Sequence, residues 1–148
     1  MEQTQIAPAV GRDVGLAMIG ERLRTQDNRC TAAPMFCVQI KRRDVGYDPA
    51  YTSGLCWHHV EKERTKYDDD KGFKVPKERG WERSAYKDRW ETVMVAFTEK
   101  GCDEYLELNG HNDRRVAFRG EVRIYAESFN RCPEMLAIRE HLMANNKP

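Results

Sequence analysis

The strongest strand signal in this sequence is a run of five apolar residues at 93–97, Val-Met-Val-Ala-Phe. A continuous apolar run of this length is typical of a central strand that is covered on both faces. An earlier strand could occupy residues 81–87. Directly after the run, Thr98 can cap a helix over 99–109, because its hydroxyl can accept a hydrogen bond from an orphan backbone N–H. Gly110 suits the left-handed position just beyond the end of that helix.

Upstream of this run, two further segments have strand patterns. Phe36, Val38 and Ile40 alternate with more polar residues over 36–41, which predicts a strand with one face buried. Residues 55–60 (Leu-Cys-Trp-His-His-Val) predict a second strand, and we expect it to pair antiparallel with the first. Residues 61–80 are mostly charged and predict a solvated loop or excursion.

The remaining elements are two helices and one strand. Apolar residues recur every three to five positions over 9–25, which predicts an amphipathic helix after a flexible N-terminus at 1–8. Residues 122–126 predict a short strand, and Pro133 suits the first turn of a final helix whose inner stripe is Met135, Ile138 and Leu142. This order predicts a single α+β domain over residues 1–148, with a mostly antiparallel sheet of four to five strands and about three helices.

The composition excludes several classes of protein. The chain has 148 residues, enough to bury one core without metal or disulfide staples. Its 25 Lys and Arg residues almost cancel its 24 Asp and Glu residues, so no overall field attracts nucleic acid or an anionic membrane. The odd number of cysteines, five, and the lack of a signal-like or membrane-spanning apolar stretch predict free thiols in the cytoplasm.

Cys56 and His58 are the first candidate site, because a Cys-x-His spacing places both side chains on one face of a strand. Together with the neighbouring His59, they could share a zinc ion with a third ligand from elsewhere, and Cys30 and Cys37 are the thiols that could most easily join them. No further Cys or His pair lies at a recognisable zinc-ligand spacing, so ordinary strand packing is the interpretation that we favour. Apart from this zinc, the sequence predicts no cofactor and no catalytic residues.

The second candidate site is the polar segment 109–113, predicted to follow a helix. A loop histidine, His111, flanked by Asn109 and Asn112, could bind a ligand or act as a general base. The alternative, which we favour, is a helix C-terminal cap, because His interacts favourably with the helix dipole and Asn or Gly supplies the left-handed turn.

A third candidate is cationic. Arginines that follow this segment could converge with the basic run 41–43 on a phosphate or on an acidic partner surface; they are Arg114, Arg115, Arg119 and Arg123. Charged runs in loops and at strand ends are usually solvated, and this remains the competing interpretation.

Two stretches of the chain resemble small uncharacterised proteins carried by tailed bacteriophages and prophages. The resembling residues are 22–34, continuing through 36–39 to 46–48, and 97–101 through 105 to 109–112, followed by 123–125 and by the helix start at 130–134. The resemblance covers about two thirds of the chain and skips 61–80. It implies an accessory protein made inside an infected bacterium, where small proteins often inhibit a host or defence component.

Two functions are therefore predicted. The first is a non-enzymatic binding protein that docks on a host or bacterial defence protein, which the mixed surface charge suits. The second is a binder of a small nucleotide-type ligand, or a modest enzyme, with a polar pocket formed by Asn109, His111, Asn112, Arg114, Arg115 and Arg123. We expect no membrane association and no nucleic-acid binding.

Overall fold

The computed structural model describes residues 14–26, 31–51, 54–61, 64–68 and 79–144, with the backbone alone for 64–68. Within these ranges the chain forms the predicted α+β fold, with three α-helices and one sheet. The elements are α1 (Leu16–Thr25), β1 (Pro34–Tyr47), β2 (Gly54–His59), β3 (Arg64–Asp68), β4 (Trp81–Ala96), α2 (Glu99–Val116), β5 (Val122–Ser128) and α3 (Pro133–Ala144). Two compact units divide the chain: a first unit of residues 1–40 and 92–148, and a second unit of residues 41–91.

The strands are ordered β3-β2-β4-β1-β5. β5 pairs antiparallel with β1, and β2 pairs antiparallel with both β3 and β4. Side-chain hydrogen bonds between β1 and β4 indicate the same orientation, because the partner numbers fall as the β1 numbers rise. Gln39 bonds to Thr92, and Arg43 bonds to Asp88. The antiparallel sheet that the sequence predicts is therefore confirmed.

The core of the first unit is built on the first half of β1. Phe36, Val38 and Cys102 of α2 form its fully buried centre. Packed around them are Met94, Ala96, Tyr105, Leu106, Val122, Ile124 and Ala126. All seven residues from 34 to 40 are buried, so the prediction of a strand with one buried face is wrong here.

The apolar run 93–97 is less covered than its composition predicts. Met94 and Ala96 face the core, whereas Val93 and Val95 point to the opposite face and are 39% and 45% exposed. The predicted burial on both faces is therefore wrong for this run. The separate strand predicted at 81–87 is continuous with it, because β4 is one strand from Trp81 to Ala96.

The two terminal helices of the first unit pack on each other. α1 begins at Leu16; the earlier part of the predicted helix, 9–13, and the N-terminus at 1–8 lie outside the described residues. Leu23 of α1 and Leu142 of α3 are buried. At Gly20 a Cβ would overlap the backbone carbonyl of Leu142, so only glycine allows this approach. Ile138, predicted for the inner stripe of α3, is 46% exposed.

In the second unit, β2 pairs with β3 and β4, and the predicted pairing with β1 is wrong. β3 lies within the predicted charged loop 61–80, so residues 64–68 form a strand instead. Residues 62–63 and 69–78 lie outside the described residues. Cross-strand ion pairs join β1 to β4, with Arg42 on Glu91 and Arg43 on Asp88, each at 2.7 Å.

Four cysteines lie in the described ranges, and all four are free thiols: Cys37, Cys56, Cys102 and Cys132. Burial raises the pKa of the Cys102 thiol to about 12, and the nearby Cys37 contributes in the same direction. Across the described part of the chain, no helix combines the length and the apolar character that a membrane crossing needs.

Candidate functional site

In the first unit, a cleft of about 570 Å³ lies between α1 and α2, and we name it the α1–α2 cleft. Its volume falls within the range of about 300–1,000 Å³ that is usual for binding pockets. Its lining is mainly apolar and comes from both helices and the end of β4: Val14, Ile19, Arg22, Ala96, Phe97, Thr98, Gly101, Glu104, Tyr105, Glu107 and Leu108.

The α2 wall of the cleft follows from the helical period. Gly101, Glu104, Tyr105 and Leu108 are spaced i, i+3, i+4 and i+7, so they share one face of the helix. Thr98 fixes where this face begins, because its hydroxyl accepts a hydrogen bond from the Gly101 N–H at 3.0 Å. The predicted N-cap at Thr98 is confirmed.

Gly101 also brings α2 close to the floor of the cleft. A Cβ at this position would lie 3.1 Å from the Ala96 Cβ, which is tighter than ordinary van der Waals contact. The opposite wall is placed by the packing of α1 on α3 through Gly20 and Leu23. Ile19 and Arg22, on another side of α1, are thereby left to line the cleft.

The charged groups of the cleft are dominated by one ion pair. Arg22 donates to the Glu104 carboxylate, and the two side chains are only 13% and 15% exposed. Arg22 also contacts the Met18 sulfur at 3.4 Å. Because this pair is largely removed from water, it is screened less than a surface pair, and breaking it would leave a half-buried charge.

A chain of hydrogen bonds runs along α2 away from the cleft. Arg115 donates to Asn112 at 3.1 Å, Asn112 to Asn109 at 2.7 Å, and Asn109 to the Tyr105 hydroxyl at 2.9 Å. The Tyr105 hydroxyl in turn reaches one oxygen of Asp113 at 3.4 Å. Asp113 is buried, and its second oxygen has no hydrogen-bond partner within the described residues. Asp113 lies in the polar segment 109–113 predicted from the sequence, but the sequence alone assigned it no role.

The structure changes the setting of the predicted polar segment. α2 continues to Val116, so residues 109–113 lie inside the helix, and the predicted helix end with a C-terminal cap at His111 is wrong. His111 is exposed on the helix. Gly110 does not have the predicted left-handed conformation. It is buried, and the Arg114 guanidinium lies beside it. A Cβ at this position would come within 2.9 Å of Arg114 Nη1. The αL-like turn comes later, at Arg119, with φ of 55°.

Several of the predicted basic residues interact with a neighbour. In the first unit, Arg123 donates to Gln39 Oε1 at 2.8 Å and lies 4.7 Å from the centre of the Tyr125 ring. Arg115 bonds to Asn112, as described above. Of the predicted ligand residues of α2, Asn109, Asn112 and Arg115 thus bond to one another along the helix, whereas Arg123 belongs to β5.

The Cys56 and His58 pair lies on β2 in the second unit. Cys56 is fully buried and His58 is half-buried, whereas the neighbouring His59 is 4% exposed. His59 accepts a hydrogen bond from the Glu61 N–H at Nδ1, so its Nε2 carries the proton and donates to the Arg79 carbonyl at 3.1 Å. Its ring meets Trp81 edge to face. Within the described ranges, no group of three or more His, Cys, Asp or Glu side chains is placed to hold a metal.

Comparisons with protein-family models, with curated proteins and with solved structures give no match to this chain. The geometry of the site is therefore the basis for assigning a function.

The α1–α2 cleft is the feature that sequence reasoning missed. The signal that could have found it is the Gly101, Glu104, Tyr105 and Leu108 stripe, which places apolar and acidic groups on one helix face. On another side of α2, Cys102, Tyr105 and Leu106 pack on the core around β1.

Proposed function

We propose that the protein acts by binding another protein, and that the α1–α2 cleft receives apolar anchor residues from an amphipathic helix of that partner. The observation that carries this proposal is the apolar lining of the cleft together with its exposed rim. Val14 is 41% exposed and Leu108 is 48% exposed. Apolar surface that is concave and open to water is typical of binding sites.

The form of the cleft supports a helical occupant. Its two walls come from α1 and α2, and its floor is the end of β4 with Phe97 and Thr98. Amphipathic helices bind in such grooves through residues at i, i+3, i+4 and i+7. A helix laid against these walls would cover the exposed rim.

The charge of the cleft supports a basic partner segment. Arg22 is already paired with Glu104, which leaves Glu107 as the third charged group of the lining. Lys or Arg beside the apolar anchors would complement this carboxylate, and an acidic segment would be repelled. The partner is therefore proposed as a basic amphipathic helix.

The biological setting is part of the same proposal. The resemblance to phage-borne proteins supports a host or bacterial defence protein as the partner, and inhibition of that protein as the outcome. Free thiols at Cys37, Cys56, Cys102 and Cys132 support action in the cytoplasm of the infected cell.

A labelled model helix tests the cleft directly. The probe is a fluorescein-labelled peptide of leucine and lysine with leucine at i, i+3, i+4 and i+7, and its anisotropy is followed during titration with the protein. We expect saturable binding that Leu108→Lys weakens by at least about tenfold, because a cation then lies in the apolar contact. Val116→Lys is the matched control, since Val116 lies on the same helix, is 51% exposed, and does not line the cleft.

A peptide with glutamate in place of every lysine tests the charge argument. We expect it to bind more weakly than the lysine peptide, and we expect added salt to narrow the difference. Equal loss of binding in Leu108→Lys and Val116→Lys, or no binding of the lysine peptide, would contradict the proposal.

A small amphiphilic ligand is the second candidate, favoured by the volume of the cleft and the largely buried Arg22–Glu104 pair. In this second candidate, the nucleotide-type ligand binds in the α1–α2 cleft and not at the site predicted around His111. A thermal-shift screen with nucleotides and amphiphiles tests it, since a ligand at 100 times its Kd stabilises a protein by about 2.7 kcal/mol. A flat response throughout would rule out this second candidate and leave the first unaffected.

A further inference from the structure

β5 lies at one end of the strand order in the sheet. Among the described residues, β1 is its only strand neighbour, pairing from Pro34 opposite Ser128 to Ile40 opposite Val122. The outer side of an edge strand presents unpaired backbone N–H and C=O groups, which can template pairing with another strand. β5 is therefore able to accept one more strand.

The two faces of β5 carry different kinds of side chain. Val122, Ile124 and Ala126 pack on the core of the first unit. By alternation, Arg123, Tyr125 and Glu127 project from the opposite face, where Tyr125 is 44% exposed and Glu127 is also exposed. This face thus carries a cation, an aromatic ring and an anion at equal spacing along the strand.

We propose that two copies of this chain associate through β5, pairing antiparallel about a twofold axis at Tyr125. β5 spans Val122–Ser128, so Tyr125 is its midpoint and every residue of the strand finds a partner in this register. Arg123 of each copy lies opposite Glu127 of the other, and the two Tyr125 rings face each other. On the core face, Ile124 lies opposite Ala126 of the second copy.

This register is selected by charge. Opposite charges on directly paired residues stabilise a sheet, and like charges destabilise it. A parallel pairing in register would place the two Arg123 side chains, one from each copy, next to each other. It would do the same with the two Glu127 side chains. Gln39 accepts from Arg123 at 2.8 Å and the Tyr125 ring lies beneath the guanidinium, so the cation is held on this face. The strand is complementary to itself only in the antiparallel arrangement.

The surface area that two β5 strands would bury limits the affinity of the dimer. A pair of seven-residue strands buries much less surface than the roughly 1,200–2,000 Å² of stable interfaces, so we expect a weak, reversible dimer in the micromolar range or above. The proposal does not depend on the α1–α2 cleft, which lies on other elements.

Sedimentation of the whole protein from 1 µM to about 1 mM tests the proposal, within the concentration range that weak interfaces require. We expect a monomer–dimer equilibrium in the natural protein. Arg123→Glu and Glu127→Arg should each raise the dimer dissociation constant by at least about tenfold, because each creates two like-charge pairs across the axis. The double swap, Arg123→Glu with Glu127→Arg, should restore association.

Mixing the two single variants supplies an independent readout. In the mixed dimer, the Glu pair of one chain faces the Arg pair of the other, so we expect the mixture to associate although neither variant does alone. Circular dichroism and thermal melting check that each variant folds. If Arg123→Glu fails to fold through loss of the Gln39 contact, Glu127→Arg and the milder Glu127→Gln still give a graded series. A natural protein that stays monomeric at about 1 mM, or a dimer insensitive to these charges, would overturn the proposal.

Discussion

Residues 34–40 of β1 and residues 92–96 of β4 are neighbouring strand segments of similar apolar character, yet they differ in burial. Val38 in the first segment is fully buried, and Val95 in the second is 45% exposed. β1 is flanked by β4 on one side and β5 on the other, and α2 covers the face that carries Phe36 and Val38. In 92–96 only Met94 and Ala96 reach that core. Apolar composition alone therefore does not determine burial.

The largest effect is expected from removing methyl groups in the first segment. Val38→Ala should lower the free energy of unfolding by about 2 kcal/mol, through lost apolar burial and a residual cavity. Val95→Ala removes the same atoms at an exposed position and should cost below about 0.5 kcal/mol. Urea unfolding measures both variants, and similar losses would show that the two segments are equally buried.

A smaller effect on the free energy of unfolding is expected from ionisation of the Cys102 thiol, which packs on the first segment. The unfolded chain releases the Cys102 proton near its ordinary pKa of 9.0, whereas in the folded protein burial raises this pKa to about 12. Between these values the unfolded state binds fewer protons, so stability should fall as pH rises through this window. At pH 10 the loss from this group is about 1 kcal/mol.

Comparing urea unfolding at pH 8 and at pH 10 isolates this contribution, since the two values lie on either side of the ordinary pKa of 9.0. Cys102→Ala should lose about 1 kcal/mol less between these pH values than the natural protein. Cys132→Ala is the control for removing a thiol elsewhere in the protein, because Cys132 is only half-buried. If the free energy of unfolding depended on pH equally in all three proteins, the raised pKa of the buried Cys102 thiol would be contradicted.

The smallest change in stability, with a clear chemical readout, is expected from a cysteine placed in the second segment. Val95→Cys and the natural Cys37 lie on the same face of the sheet, but Cys37 is 2% exposed. With Cys30 and Cys132 changed to serine, the new thiol should react with a disulfide reagent at least about 100-fold faster than Cys37. A ratio of this size corresponds to about 2.8 kcal/mol of local opening. Equal reaction rates of the new thiol and Cys37 would show that the two segments do not differ in burial.

The predictability of the candidate site varies from residue to residue. Thr98 was identifiable as an N-cap because capping depends on residues three positions apart. The end of α2 was misplaced, because Gly110 is a common helix terminator and here is buried beside Arg114 within the helix. Ile19 and Leu108 could not be matched from the sequence, since their shared cleft exists only once α1 has packed on α3.

The sequence by itself determined the type of most elements: the alternation in β1, the capped start of α2 and the proline-led start of α3. These depend on local hydrogen bonding and on side-chain periodicity, which a short segment specifies. Only the tertiary structure decided which apolar strand became fully buried, that β2 pairs with β4, and that α1 and α2 leave a cleft between them. Burial and strand pairing depend on neighbours that are remote in the chain, and a short segment does not specify those neighbours.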